Sequence, residues 1–84
     1  MELHERVKSI QTREELADFV EALLKDLREN GSDWENASLE GFLDAMAAWI
    51  RSMPSAYKNM GKALPSSGDW RAMADILLAA KMYE

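Results

Sequence analysis

The sequence predicts an all-α fold, a small helical bundle of three main helices with short helical arms. Two observations support this: apolar residues recur at spacings of three and four along most of the chain, and no long segment alternates with the two-residue period of a strand. A chain of 84 residues can bury one hydrophobic core. Residues 1–84 are therefore predicted to form a single helical domain.

The first long helix is predicted to follow a short helical arm within residues 1–10, where apolar residues are spaced four and three apart. Thr12 and Glu15 have the spacing of a capping box, and Asn30-Gly31 is a typical stop. Between them the apolar positions keep the helical period: Leu16, Phe19, Val20, Leu23, Leu24 and Leu27. This pattern indicates an amphipathic helix with one face turned inward.

The second long helix is predicted to begin after a polar loop in which Trp34 folds back onto the core. Ser38 can cap this helix, and Pro54 is expected to end or kink it. Its apolar face comprises Leu39, Phe42, Leu43, Met46, Trp49, Ile50 and Met53. Another helical turn is expected before Gly61, with Tyr57 pointing inward.

The last helix is predicted to start at Gly68 or Asp69, and it is apolar on most of its sides. Its regular stripe comprises Trp70, Met73, Ala74, Leu77 and Ala80, and further apolar residues widen it: Ile76, Leu78, Ala79 and Met82. Leu78 and Met82 continue a stripe that begins as polar residues. We interpret these two side chains as a possible contact surface for a partner.

The net charge of −5 and the isoelectric point near 4.8 argue against nucleic acid and membrane surfaces as partners. The acidic residues Glu14, Asp18 and Glu21 are predicted to form an unneutralised stripe on the outer face of the first long helix. A solvated face is the simplest interpretation, and contact with a protein partner is the alternative. The sequence shows no secretory leader or membrane-spanning segment, which predicts a cytoplasmic location.

The sequence offers no convincing set of catalytic, cofactor-binding or metal-ligating residues. The chain has no cysteine, and its one histidine, His4, is predicted to be a surface residue. Ser55 and Lys58 match a serine-x-x-lysine pattern, but the companion motifs of acyl-transfer enzymes are absent. We therefore predict a protein that is not an enzyme and binds no cofactor. Three carboxylates are left without a predicted role: Glu35, Asp44 and Glu84.

Trp34-Glu35-Asn36, with Trp49 and Trp70 downstream, resembles the pattern of a family of small bacterial proteins of unknown function. The closing residues Ala79-Ala80 and Tyr83-Glu84 fit the same pattern. The resemblance implies a stand-alone helical protein and an association with immunity-type partners of toxins. The residues themselves suggest structural roles for most of this pattern: the three tryptophans as large core anchors and Asn36 as a loop or helix cap. Tyr83 and Glu84 end the chain, where fraying is expected unless the tyrosine ring is packed and its hydroxyl is bonded. Glu35 is predicted either to clamp its loop or to contact a partner.

Two functions fit this sequence. The first is a protein-interaction module, which binds a protein partner or a second copy of itself and has no catalytic activity. The alternative is a small-ligand-binding domain in which aromatic side chains line a pocket between helices. That pocket would be formed by Trp34, Trp49, Tyr57 and Trp70.

Overall fold

The computed structural model describes residues 3–65 and 68–83. The described chain is helical: α1 spans Leu3–Arg6, a 3-10 turn spans Val7–Ser9, α2 spans Arg13–Asn30, a second 3-10 turn spans Gly31–Asp33, α3 spans Leu39–Asn59 and α4 spans Trp70–Ala80. No strand occurs within these residues. The predicted all-α class, with three long helices and short helical arms, is confirmed. The predictions for Glu84, the side chain of His4 and the first two residues of the arm lie outside the described parts.

The chain divides into two compact units, residues 1–48 and residues 49–84, which we call unit 1 and unit 2. Unit 1 contains α1, α2 and the first half of α3. Unit 2 contains the second half of α3 and α4. The packing of the three long helices as one bundle and one domain stays a prediction.

The start of α2 is the predicted capping box. The backbone N–H of Glu15 donates to Thr12 Oγ1 over 3.0 Å, and the backbone N–H of Thr12 donates to Glu15 Oε1 over 3.1 Å. Two amide groups that would otherwise lack a helical partner are thereby satisfied. The helix ends at Asn30, as the Asn30-Gly31 pair predicts.

The start of α3 is also capped as predicted, because the backbone N–H of Gly41 donates to Ser38 Oγ over 3.0 Å. Of the two outcomes expected at Pro54, an end or a kink of the helix, the end does not occur, because α3 continues through it to Asn59. A kink at Pro54 stays a prediction. A proline lacks the N–H for one helical hydrogen bond, but the residues that follow it can still form their own helical hydrogen bonds. Gly61, with a φ of +70°, then turns the chain in a conformation that favours glycine.

The buried part of the described chain is small. Among the described residues only Met53 is buried, with 9% of its surface exposed. Trp49 and Trp70 are 49% and 53% exposed, so the prediction that they are buried core anchors is wrong. The reason is that the apolar face of each long helix is only partly covered. The helical period thus predicted the apolar faces correctly but not their burial.

Candidate interaction surfaces

The last helix presents five large apolar side chains that are partly exposed. Its N-terminus is fixed by Asp69, whose carboxylate accepts the backbone N–H of Ala72 over 3.0 Å. We call its five large, partly exposed apolar residues the α4 surface: Trp70, Met73, Ile76, Leu77 and Leu78. Leu78 is the most exposed of them, at 65%. An exposed run of this kind is typical of a binding surface.

The two residues predicted as a contact surface, Leu78 and Met82, are both exposed. Met82 lies just beyond the end of α4, where its backbone N–H donates to the carbonyl of Ala79 over 3.1 Å. Tyr83, which follows, is 88% exposed, so the alternative of a packed ring is not met. Leu78 and Met82 are thus accessible to a partner, and their binding role stays a prediction.

The acidic stripe of α2 is exposed as predicted: Glu14, Asp18 and Glu21 all lie at the surface. One detail differs, because the guanidinium of Arg13 lies 3.0 Å from the carboxylate of Glu14. The stripe is therefore not wholly unneutralised. Val20 is exposed on the same helix, so acidic and apolar groups occur together there.

The two units differ in charge. Residues 1–48 contain 12 acidic and 5 basic side chains, which give a net charge of −7. Residues 49–84 contain 3 acidic and 5 basic side chains, which give +2. The acidity of the whole chain therefore belongs to unit 1, and the α4 surface belongs to the unit with a small positive charge.

Trp34 is held in place by a polar clamp that the sequence analysis missed. Its indole Nε1–H donates to the carboxylate of Asp26 over 2.7 Å, and the side-chain amide of Asn30 donates to the same carboxylate over 3.0 Å. The hydrogen bond from Trp34, followed by that from Asn30, holds the pKa of Asp26 below its ordinary value. The Trp34 ring also stacks on Phe42, with centroids 6.3 Å apart. Trp34 therefore folds back from its loop onto α2 and Phe42, and its predicted role as a core anchor stays a prediction.

Asp26 had a signal in the sequence that could have identified it. It lies three residues after Leu23 and seven after Phe19, so it shares the helix face of two apolar, partly buried residues. A carboxylate at such a position needs a hydrogen-bond donor. Glu35, considered for this clamping role, is exposed, and the carboxylate that bonds Trp34 is that of Asp26. Asn36 and Asp44 are exposed as well. The capping role of Asn36 stays a prediction.

The aromatic residues proposed to line a ligand pocket occur in different settings. Trp34 stacks on Phe42 in unit 1. In unit 2, Trp49 meets Tyr57 edge to face, with ring centroids 5.9 Å apart. Tyr57 is partly buried, consistent with the inward orientation predicted for it. Trp70 is about half exposed.

Unit 1 has an open pocket of about 150 Å³ where the N-terminal arm meets α2. It is lined by Arg6, Ser9, Ile10, Glu15, Asp18 and Phe19. Two of its polar groups are already engaged: Ser9 donates to the carbonyl of Arg6, and Glu15 accepts the amide groups at the start of α2. The pocket is therefore primarily part of the contact between the N-terminal arm and α2.

Across residues 3–65 and 68–83, no three His, Cys, Asp or Glu residues are grouped closely enough to hold a metal ion. None of the helices within those ranges has the length and apolar character needed to cross a membrane.

The family comparison applies to almost the whole of this helical chain. Residues 12–84 match the model described as Family of unknown function (DUF7660). The chain belongs to this family. The match begins at Thr12, the cap of α2, and includes the clamp on Trp34 and the α4 surface. No curated protein and no solved structure matches the chain. The family description assigns no activity, and the Trp-Glu-Asn pattern and a bacterial origin stay predictions.

Proposed function

We propose that this member of the family is a protein-interaction module of the cytoplasm that binds through the α4 surface and catalyses no reaction. The observation that carries the proposal is the exposure of large apolar side chains along one helix. Apolar runs of this kind mark sites where proteins meet.

The length of α4 supports this proposal. An isolated helix of 11 residues is marginal in water, since helices below about 12–15 residues gain too few hydrogen bonds to offset the cost of nucleation. Covering half-exposed leucine or isoleucine side chains contributes on the order of 1 kcal/mol each. A partner seated on the α4 surface would therefore stabilise the helix that it binds.

Trp70 gives this surface a candidate anchor. Tryptophan is enriched among the residues that dominate binding energy, because it buries a large area with few rotatable bonds. Leu78 and Ile76 would then add apolar contact beside it. An immunity-type role, in which the partner is a toxin, is one form of this function. The small-ligand alternative stays a prediction.

The test is co-purification of the tagged full chain from its native host at native expression. Leu78→Glu places a charge in the α4 surface, and we expect it to lose the protein that the wild type retains. Ser55→Glu is the matched control, because it adds the same charge at an exposed position of α3 outside that surface. Equal retention by both variants, each shown to be helical by circular dichroism, would contradict the proposal.

A further inference from the structure

We propose that Met73 and Met82 are modification sites, at which hydrogen peroxide converts the thioether to a sulfoxide and thereby releases the partner of the α4 surface. The release rests on the proposed function, whereas the modification is a property of unit 2 itself. The inference joins two observations: methionine is the only sulfur-containing residue type in the sequence, and both of these methionines are exposed.

Methionine is concentrated in unit 2. Residues 49–84 hold four of the six methionines of the chain: Met53, Met60, Met73 and Met82. Because the sequence contains no cysteine, no thiol of this chain competes with the thioethers for an oxidant. The sulfur chemistry of unit 2 is therefore that of methionine alone.

Exposure separates these four methionines from one another. Met82 is 80% exposed, Met60 52% and Met73 39%, whereas Met53 is buried at 9%. An oxidant must reach the sulfur atom, so the susceptibility of a methionine follows its exposure. Met53 should therefore be spared while the other three are oxidised, and the buried part of unit 2 should outlast the modification.

The two proposed sites lie in or beside the α4 surface. Met73 follows Trp70 by three residues and precedes Leu77 by four, so these side chains share one face of α4. Met82 lies just beyond α4, four residues after Leu78, the most exposed residue of the surface. Oxidation at these two positions therefore acts on the apolar side chains that the partner would cover.

The modification is a two-electron oxidation of sulfur. One oxygen of hydrogen peroxide forms the S–O bond as the O–O bond breaks, and the other oxygen leaves as water with both hydrogens. The apolar thioether thereby becomes a polar group that accepts hydrogen bonds. A partner packed against Met73 would have to bury this oxygen without a donor, which weakens binding. Methionine sulfoxide reductases reverse the reaction, so the release is reversible.

The first measurement follows each methionine by peptide mass spectrometry while the full chain is treated with hydrogen peroxide. Met82 should be oxidised at least about fivefold faster than Met53, in keeping with exposures of 80% and 9%. Met73 should also be oxidised before Met53. In urea, where the chain is unfolded, the rates should become equal. Equal rates at Met53, Met73 and Met82 in the folded chain overturn the inference.

Two variants separate the proposed sites from oxidation elsewhere. The double variant Met73→Leu with Met82→Leu keeps the surface apolar but cannot form a sulfoxide there. Met60→Leu is the matched control, because it removes an exposed methionine outside α4. Retention on a hydrophobic matrix should fall after peroxide treatment for the wild type and for Met60→Leu, and it should fall less for the double variant. An equal fall for all three chains contradicts the inference.

Co-purification then tests the release of the partner. The purified, tagged chain is oxidised, and the peroxide is removed before host lysate is added, so that only the chain is modified. Oxidation should reduce the host protein retained by the wild type at least about tenfold. A methionine sulfoxide reductase should restore it, and the double variant should keep its partner throughout.

Two outcomes of this co-purification overturn the inference: retention of the partner by the oxidised wild type, and its loss from the oxidised double variant. If even the untreated wild type retains no host protein, the proposed function fails and the release fails with it. The mass spectrometry and the hydrophobic matrix still decide the modification in that case.

Discussion

Unit 1 and unit 2 are held together in different ways. In unit 1, side chains hydrogen-bond to the backbone or to one another at three places: the capping box at Thr12, the clamp of Asp26 on Trp34 and the cap at Ser38. In unit 2 one side-chain cap, at Asp69, precedes a helix with exposed apolar groups. Local hydrogen bonds between polar groups therefore define the helix starts and the Trp34 clamp of unit 1, whereas the stability of α4 depends more on what covers its apolar side chains.

The largest effect is expected at Met53, the buried residue of unit 2. Met53→Ala removes apolar contacts and leaves a cavity, which should lower the free energy of unfolding by about 2 kcal/mol. Met82→Ala, at an 80% exposed position, is the control and should change it by less than about 0.5 kcal/mol. Urea unfolding followed by circular dichroism measures both. Equal effects of the two variants would mean that unit 2 has no core of its own.

The helix caps provide a matched comparison between the units. Thr12→Ala and Asp69→Ala each remove an acceptor at a helix N-terminus and should each cost about 1 kcal/mol. Hydrogen exchange should show the loss of protection within α2 for the first variant and within α4 for the second. A loss of protection throughout both units from either cap would show that the units unfold as one body.

The clamp of unit 1 should respond to pH. The pKa of Asp26 is lowered from its ordinary value of 3.8, so the stabilisation from its charge is present above that value and is lost as the pH falls through the folded-state pKa. Asp26→Asn keeps an acceptor for Trp34 but cannot ionise. The wild type should therefore be more stable than Asp26→Asn near pH 6, and this advantage should shrink below about pH 4. An advantage that is the same at both values would contradict the clamp, and urea unfolding at each pH measures it.

The smallest effect is expected for the ion pair of Arg13 and Glu14. Both side chains are mostly exposed, and water screens such pairs. Glu14→Gln should change the free energy of unfolding by less than about 0.5 kcal/mol in thermal or urea unfolding. A larger loss of stability would mean that the acidic stripe contributes to the stability of unit 1 as well as to its net charge.

The sequence predicted the helices better than it predicted their environment. Thr12 and Glu15 lie three residues apart, and Ser38 directly precedes its helix, so the information needed for these helix starts is local. Pro54 does not end α3, because the residues around it can still form a helix. The burial of Trp49 and Trp70 was misjudged because the helical period identifies an apolar face and not what covers that face.

The candidate surfaces were predicted in part. Leu78 was identified as a candidate contact residue because it continues a polar stripe with an apolar side chain, and its exposure agrees with that interpretation. Asp26 was missed because its partner Trp34 is eight residues away, beyond the reach of a pattern based on helical neighbours. The charge difference between the units was also missed, since it depends on where the chain divides.

The placement of the tryptophans has a spectroscopic consequence. Trp34 is the one tryptophan in the sequence of residues 1–48, whereas Trp49 and Trp70 both belong to residues 49–84. The indole of Trp34 is partly buried and hydrogen-bonded to a carboxylate, while the other two are about half exposed to water. Each unit therefore carries its own fluorophore. A chain in which phenylalanine replaces Trp49 and Trp70 would report by its emission on unit 1 alone.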